Sequence, residues 1–436
     1  MTIRTILIAM IAAASGSGLA LAPSSAAAEA KITYWTPNPE LLPFLNLAGE
    51  AYRKLHPDVE FSFLGASARE AEQKLSAAVP TGTGPDAFDI GTNVSVNFID
   101  AGLLTPNPPA IDQYLRSSAW NAPMVDYLTR NGKTYGLPIV QSNAAMYYNK
   151  AMFREAGISD PPSTFAELID AARKLTTFDA SGKMTRSGIS LRLSGQGSGV
   201  AEKFWYVLGP AGGSIITQAP SGKWHNGYDN EAGRAALQFY VDAIQKYKID
   251  DPKVQHDADA FVAGKTAMLF RESWVIGEIA SKNPSLEYGV APIPRWSPAS
   301  PYERFLQIFP VYVNGSSKNK DVAWDFIEFM TNRENALKMT SMAGWLSARQ
   351  DVDWTPLLQK TPQFGGFLVP PKNTVFFLEP VLPVWDELET KMADKLVKAY
   401  ADPAMAGDPA KVSDAIHQMA AETDQILKDS DLYGAQ

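Results

Sequence analysis

The chain has 436 residues, 45% hydrophobic and 20% charged, which suits two globular domains of about 100–200 residues each. It contains no cysteine, so disulfides, thiolate metal sites and a cysteine nucleophile are excluded. A formal net charge of −8 gives no electrostatic reason to seek nucleic acid or an anionic membrane.

Arg4 opens the chain, an apolar run follows over 6–22, and Ala26-Ala27-Ala28 offers a cleavage site. This is the build of a secretory signal peptide over 1–28. No cysteine follows the run to accept a lipid, so the expected product is free in the periplasm and not a lipoprotein. Residues 31–35 then alternate as a strand, and 41–55 carry apolar residues at helical spacing until His56-Pro57 stops them. A second strand is predicted over 59–64, a second helix over 68–79 and a third strand over 88–90. That order implies a parallel sheet covered by helices. A long strand is predicted over 144–148, and Thr164 with Glu167 forms a capping box opening a helix over 165–175. Thr331 and Glu334 repeat the device before 336–342, and two helices close the chain over 384–400 and 412–427.

The chemistry of catalysis is sparse. Histidines 56, 225, 256 and 417 are scattered without metal-ligand spacing, and no nucleophile elbow appears. Gly82-Thr83-Gly84 is followed by Pro85-Asp86, so it reads as a loop and not a phosphate cradle. Glu387 and Glu389 lie in a helical pattern and are expected on a solvated face. No cofactor or metal is expected. A glycoside hydrolase would need two carboxylates facing each other across a cleft, and nothing in the sequence points to that pair.

Several blocks in order carry a resemblance: Tyr52-Arg53-Lys54-Leu55-His56-Pro57-Asp58-Val59, Tyr147-Tyr148-Asn149-Lys150, Pro161-Pro162-Ser163-Thr164-Phe165, and Gly264-Lys265-Thr266-Ala267-Met268 with Trp274. Ala291-Pro292-Ile293-Pro294 and Ala323-Trp324-Asp325-Phe326 complete the series. With these the chain resembles family 1 extracellular solute-binding proteins, the maltose-binding-type carbohydrate receptors of bacterial ABC importers. The resemblance implies an α/β, two-lobed periplasmic-binding-protein fold, each lobe a mostly parallel sheet flanked by helices. It places the N-terminal lobe at 29–138 and 295–329, the C-terminal lobe at 141–289 and 332–436, and hinges near 137–141, 290–294 and 329–331. It also implies a receptor, not an enzyme, that hands a sugar, oligosaccharide or sugar derivative to the transmembrane permease subunits of the importer. A glycerol-phosphate-type ligand is the near alternative. No interface stripe is left over, so a monomer is expected.

A sugar presents apolar C–H faces to aromatic rings and hydroxyls to amides and charges. By position in the family pattern, Trp274 and Trp385 match stacking tryptophans, Trp205 falls in an aromatic stretch of the second lobe, and Trp345 lies in the loop where the pattern has a second-lobe rim residue. Polar contacts are expected from loops after the strands: Asn38 and Glu40, Thr92 and Asn93, and Gln141, Ser142 and Asn143. Arg271-Glu272 precedes Trp274 where many relatives carry a glycine, which implies either an internal ion pair or an anionic group on the ligand.

Overall fold

The computed structural model describes residues 30–195, 198–255 and 257–435. The expected signal peptide and His256 lie outside these. The first sheet begins with strand β1 (Ala30–Thr36), which buries Ile32 and Tyr34 on one side as the alternation predicts. Helix α1 (Leu42–Leu55) buries Phe44, Leu45, Ala48 and Tyr52, four positions on one face. It stops at His56 because Pro57 disfavours a helical residue before it. Strand β2 (Val59–Gly65), helix α2 (Ala68–Ala78), strand β3 (Ala87–Asp89) and helix α3 (Thr92–Asp100) follow. Both β2 and β3 pair with β1 in parallel.

Strand β4 (Leu137–Ser142) belongs to this first sheet, and after Asn143 strand β5 (Ala144–Asn149) is the centre of a second. Helix α4 (Phe165–Leu175) starts with the expected capping box. Helices α5 (Gly199–Leu208) and α6 (Glu231–Gln245) pack together. Strand β6 (Met268–Glu272), helix α7 (Val275–Lys282) and strand β7 (Tyr288–Ala291) complete the second sheet, in which β6 and β7 flank β5. Strand β8 (Tyr302–Val313) returns to the first sheet and runs antiparallel to β3 and β4. Its register shifts at Phe309/Pro310, where proline has no N–H to give the ladder. Helices α8 (Lys320–Met330) and α9 (Arg333–Ala343) and strand β9 (Leu346–Ser347) stay with this sheet, β9 pairing with β4. Strand β10 (Thr374–Leu378) pairs in parallel with β8, and helices α10 (Trp385–Ala401) and α11 (Pro409–Asp429) close the chain.

Each sheet has its own core, which makes two lobes. Ile32, Phe44, Leu137, Val311 and Phe326 fill the first, and Phe165, Phe204, Tyr240, Leu396 and Ile416 fill the second. Three expectations need revision. Parallel pairing is found for β1–β2, β1–β3 and β8–β10, whereas the second sheet is antiparallel on both sides of β5. The chain does not leave the first core at 329–331, since Met339, Ala343, Trp345 and Ala348 all belong to the core that holds Ile32 and Tyr34. It has joined the second sheet's far face by Leu357, which packs with Tyr147 and Leu269. Finally, Asn332 and not Thr331 caps α9, accepting from the N–H of Asn335. The Thr331 hydroxyl instead donates back to the Ile327 carbonyl at 2.8 Å, closing the preceding helix.

Candidate functional site

A cleft of about 500 Å³ lies between the lobes. Strand ends and helix starts build it. Asn38 and Glu40 come from the turn after β1, Asn93 from α3, Ser142 from the end of β4, and Gln307 and Phe309 from β8. The second lobe contributes Glu202 of α5, Arg271 and Glu272 of β6, and Trp274 before α7.

Aromatic rings form one wall. The Trp274 and Trp345 rings lie 6.4 Å apart, and Phe309 sits 6.2 Å from Trp345. Gly344 makes this approach possible. Its φ of +78° is left-handed, and a Cβ there would lie 3.0 Å from Cα of Trp274. The Trp345 indole N–H is buried and has no hydrogen-bond partner among the described residues. A similar fit holds Asn93, because a Cβ on Gly91 would meet its Oδ1 at 2.4 Å.

Behind Trp274 lies a buried ion network. The Arg271 side chain is 14% exposed and Glu272 is 6% exposed. Arg271 Nη1 donates to Glu272 Oε2 at 2.9 Å, and its Nη2 donates to Asp257 Oδ2 at 3.1 Å. Its Nε is 2.7 Å from Asp257 Oδ1, within ion-pair range but off the line of a hydrogen bond. Lys203 Nζ and the Tyr206 hydroxyl both donate to Glu272 Oε1 at 2.7 Å, and Arg192 Nη1 donates to Asp257 at 2.8 Å. Trp274 Nε1 donates to Glu272 Oε2 at 3.1 Å, and the Arg271 guanidinium lies 5.1 Å from the Trp274 ring centre. Burial opposes ionisation of Glu272, but Arg271 and Lys203 outweigh it and hold its carboxyl well below the usual range. Burial likewise opposes the Asp257 charge, and Arg271 with Arg192 brings its pKa below the ordinary value. Arg271 is therefore satisfied from within, the internal ion pair of the two alternatives that the sequence left open.

The expected polar residues divide. Asn38 lines the cleft, but its Nδ2 donates to Asp89 Oδ2 at 3.0 Å, beside donations to Asp89 from Thr36 and Tyr34. Burial pushes Asp89 up to about 6 despite those bonds. Glu40, Asn93, Arg271, Trp274 and Trp345 also line the cleft. Gln141 and Asn143 do not: Gln141 pairs in the sheet with Ile308 and Leu346, and Asn143 is buried between the sheets. Thr92 and Trp205 line a neighbouring cavity of about 660 Å³ together with Tyr127, Trp224 and Phe377. Trp385 is fully buried, and its Nε1 donates to Glu379 at 2.9 Å. It is a packing residue because α10 turns that position into the core, in contact with Trp205 at 5.6 Å.

Sequence reasoning missed the cleft carboxylates Glu72, Glu202, Glu379 and Asp386, which come from four separate elements. Glu389 was expected in solvent with Glu387. Glu387 is exposed, but Glu389 is 1% exposed, since it falls one position after buried Leu388 on the inner face of α10. Arg69 Nη1 links Glu72 at 3.3 Å and Asp386 at 3.4 Å, and Asn97 Nδ2 donates to the Pro383 carbonyl at 3.2 Å. Both contacts run between the first-lobe helices and the start of α10.

Two α/β lobes around a polar cleft with an aromatic wall define a two-lobed binding protein. Over residues 38–337 the chain matches the bacterial extracellular solute-binding proteins, and it belongs to that family. The maltotriose-binding protein of Pyrococcus abyssi is 28% identical over 358 residues, 77% of this chain and 70% of that one. The maltotriose-binding protein of Thermus thermophilus, solved with maltotriose bound, superposes with a TM-score of 0.72 over 92% of this chain and 100% of that chain, at 22% identity. An ABC substrate-binding protein from Listeria monocytogenes in complex with cycloalternan superposes with a TM-score of 0.76 over 93% of this chain and 100% of that chain, also at 22% identity.

Proposed function

We propose that the protein is the periplasmic solute receptor of an ABC importer, binding a sugar or oligosaccharide between its lobes and presenting it to the permease. The observation that carries this reading is the aromatic wall of Trp274, Trp345 and Phe309 set against polar groups in the interlobe cleft. Rings of this kind cover the apolar faces of a sugar, and amides and carboxylates match its hydroxyls. The relatives that bind maltotriose or cycloalternan support the ligand class. In this reading one lobe comprises 30–142 and 302–348, the other 144–291 and 357–435 apart from β10, which reaches back to pair with β8 of the first sheet, and the crossings serve as hinges. Asn93, Glu40, Ser142, Trp274 and Trp345 are the ligand contacts taken from the sequence, joined by Gln307, Glu202 and Glu379. Arg271 supports Trp274 from behind and does not meet an anion, which favours a sugar over a glycerol-phosphate ligand.

The receptor acts by closure, driven by the ligand's higher affinity for the closed lobes, and works as a monomer without catalysis. Calorimetric titration with a panel of mono- and oligosaccharides tests it, alongside incubation with nitrophenyl glycosides. The expected result is one saturable heat at a 1:1 ratio and no released nitrophenol. Steady nitrophenol release, or no heat with any sugar, would overturn the reading.

A further inference from the structure

We propose that the cleft holds a cation subsite, formed by Glu379 with Glu202 and Asp386 around it, so that the sugar this receptor takes carries a protonated amine. The inference rests on the sugar-receptor reading above and names its ligand more closely. Glu379 is only 2% exposed yet lines the cleft. Its backbone N–H donates to the Leu306 carbonyl at 3.0 Å, continuing the β10–β8 ladder and fixing where the carboxyl sits. Gln307 Nε2 and Trp385 Nε1 both donate to Oε1, while Oε2 receives no hydrogen bond from the described residues. Glu389 is 1% exposed, and its buried Oε1 has no hydrogen-bond partner among the described residues. A buried carboxylate left this way is costly unless a cation or a proton arrives.

The cations nearby are already engaged. Lys203 is shared between Glu272 at 2.7 Å and Glu202 at 3.2 Å, and Arg69 between Glu72 and Asp386. Glu379 and Glu389 make no ion pair among the described residues. Burial, then repulsion from Glu202 and Glu72, pushes Glu379 up to about 7, offset in part by its two hydrogen bonds. The carboxyls are spread over α5, α10 and the end of β10, and among the described residues no three acidic or histidine groups converge closely enough to hold a metal ion. An organic ammonium offers three N–H donors on a flexible stem and can meet acceptors from separate elements without a fixed coordination geometry. The positive groups of the cleft argue the same way, since Arg271 and Arg192 are spent on Asp257 and Glu272.

Calorimetry with four probes tests this at low salt: the β-1,4 disaccharide of glucosamine with both amines free, its N-acetylated form, cellobiose, and putrescine as a cation without sugar. The free-amine disaccharide is expected to bind on the order of tenfold or more tighter than cellobiose and the acetylated form, with the preference shrinking as salt rises. Glu379→Gln should abolish the preference without lowering the melting temperature. Glu202→Gln, at a half-buried position, should weaken the same preference and serves if the first variant fails to fold. Equal or tighter binding of cellobiose or the acetylated form would overturn the subsite and leave the receptor reading intact. Putrescine binding without any disaccharide would keep the subsite and contradict the receptor reading. No binding by any of the four would overturn the subsite.

Discussion

At the scale of single residues, the site turns on two neighbours with opposite duties. Trp274 presents a ring to the cleft, and Arg271 beside it is bound on both sides by carboxylates. Trp274→Ala should cost about 2–4 kcal/mol of ligand affinity in calorimetry and shift the melting temperature little. Arg271→Ala should chiefly lower stability, with a smaller loss of affinity through the ring it supports. It strips Glu272 and Asp257 of their main counter-charge inside the lobe, and breaking a buried pair costs about 3–5 kcal/mol. Urea unfolding checks it: a variant as stable as the parent would show that the network is not a structural keystone. Trp274, Asn93 and Glu40, expected from the sequence as ligand contacts, line the cleft because each follows a strand or precedes a helix, where side chains reach the space between lobes, and Trp345 lines it from the turn between α9 and β9. Trp385 and Glu389 were illegible for one shared reason. Only the packing of α10 on α5 decides which way that helix turns its first residues.

At the scale of elements, local chemistry was readable where one residue dictates a geometry. The Thr164 box is such a case: its hydroxyl accepts from the Glu167 N–H at 3.3 Å, and the Glu167 carboxylate accepts from the Ser163 and Thr164 N–H groups at 2.8 and 3.3 Å. Thr164→Ala should lower stability by about 1 kcal/mol in denaturant unfolding. Thr331 showed the same sequence signal but belongs to the end of α8, since Asn332 is one residue better placed to cap. Gly344 is the element-scale device at the site. Gly344→Ala forces a left-handed alanine costing about 1–2 kcal/mol and presses on Trp274. Both the melting temperature and the ligand affinity should fall, and retention of full affinity would mean that the aromatic wall does not depend on that close approach. Long-range pairing was harder to read, because nothing local to 302–313 announces that this strand joins the first sheet antiparallel to β3.

At the scale of the molecule, buried carboxyls pull the pH dependence in two directions. Burial pushes Glu72, Asp250, Glu303 and Glu379 up to about 7. A group raised on folding contributes stability that is present below its unfolded value and lost as pH rises through about 7. Glu272 and Asp257 are lowered, so their contribution is present above the ordinary carboxylate range and lost as pH falls below it. The melting temperature should therefore rise from about pH 8 to about pH 5.5 and drop in stronger acid. Glu303→Gln, which neutralises a carboxyl whose buried Oε2 has no hydrogen-bond partner among the described residues, should flatten the alkaline side. The two-lobed plan itself was legible from the ordered blocks of sequence, whereas the third passage between lobes was not, because only the tertiary packing of Met339, Ala343, Trp345 and Ala348 keeps that stretch with the first core. Trapping of a ligand between the lobes is read by small-angle scattering with and without a saturating sugar from the calorimetric panel. The radius of gyration should fall on binding, because hinge closure shortens a two-lobed particle. Identical profiles at a concentration where calorimetry shows the sites filled would contradict it.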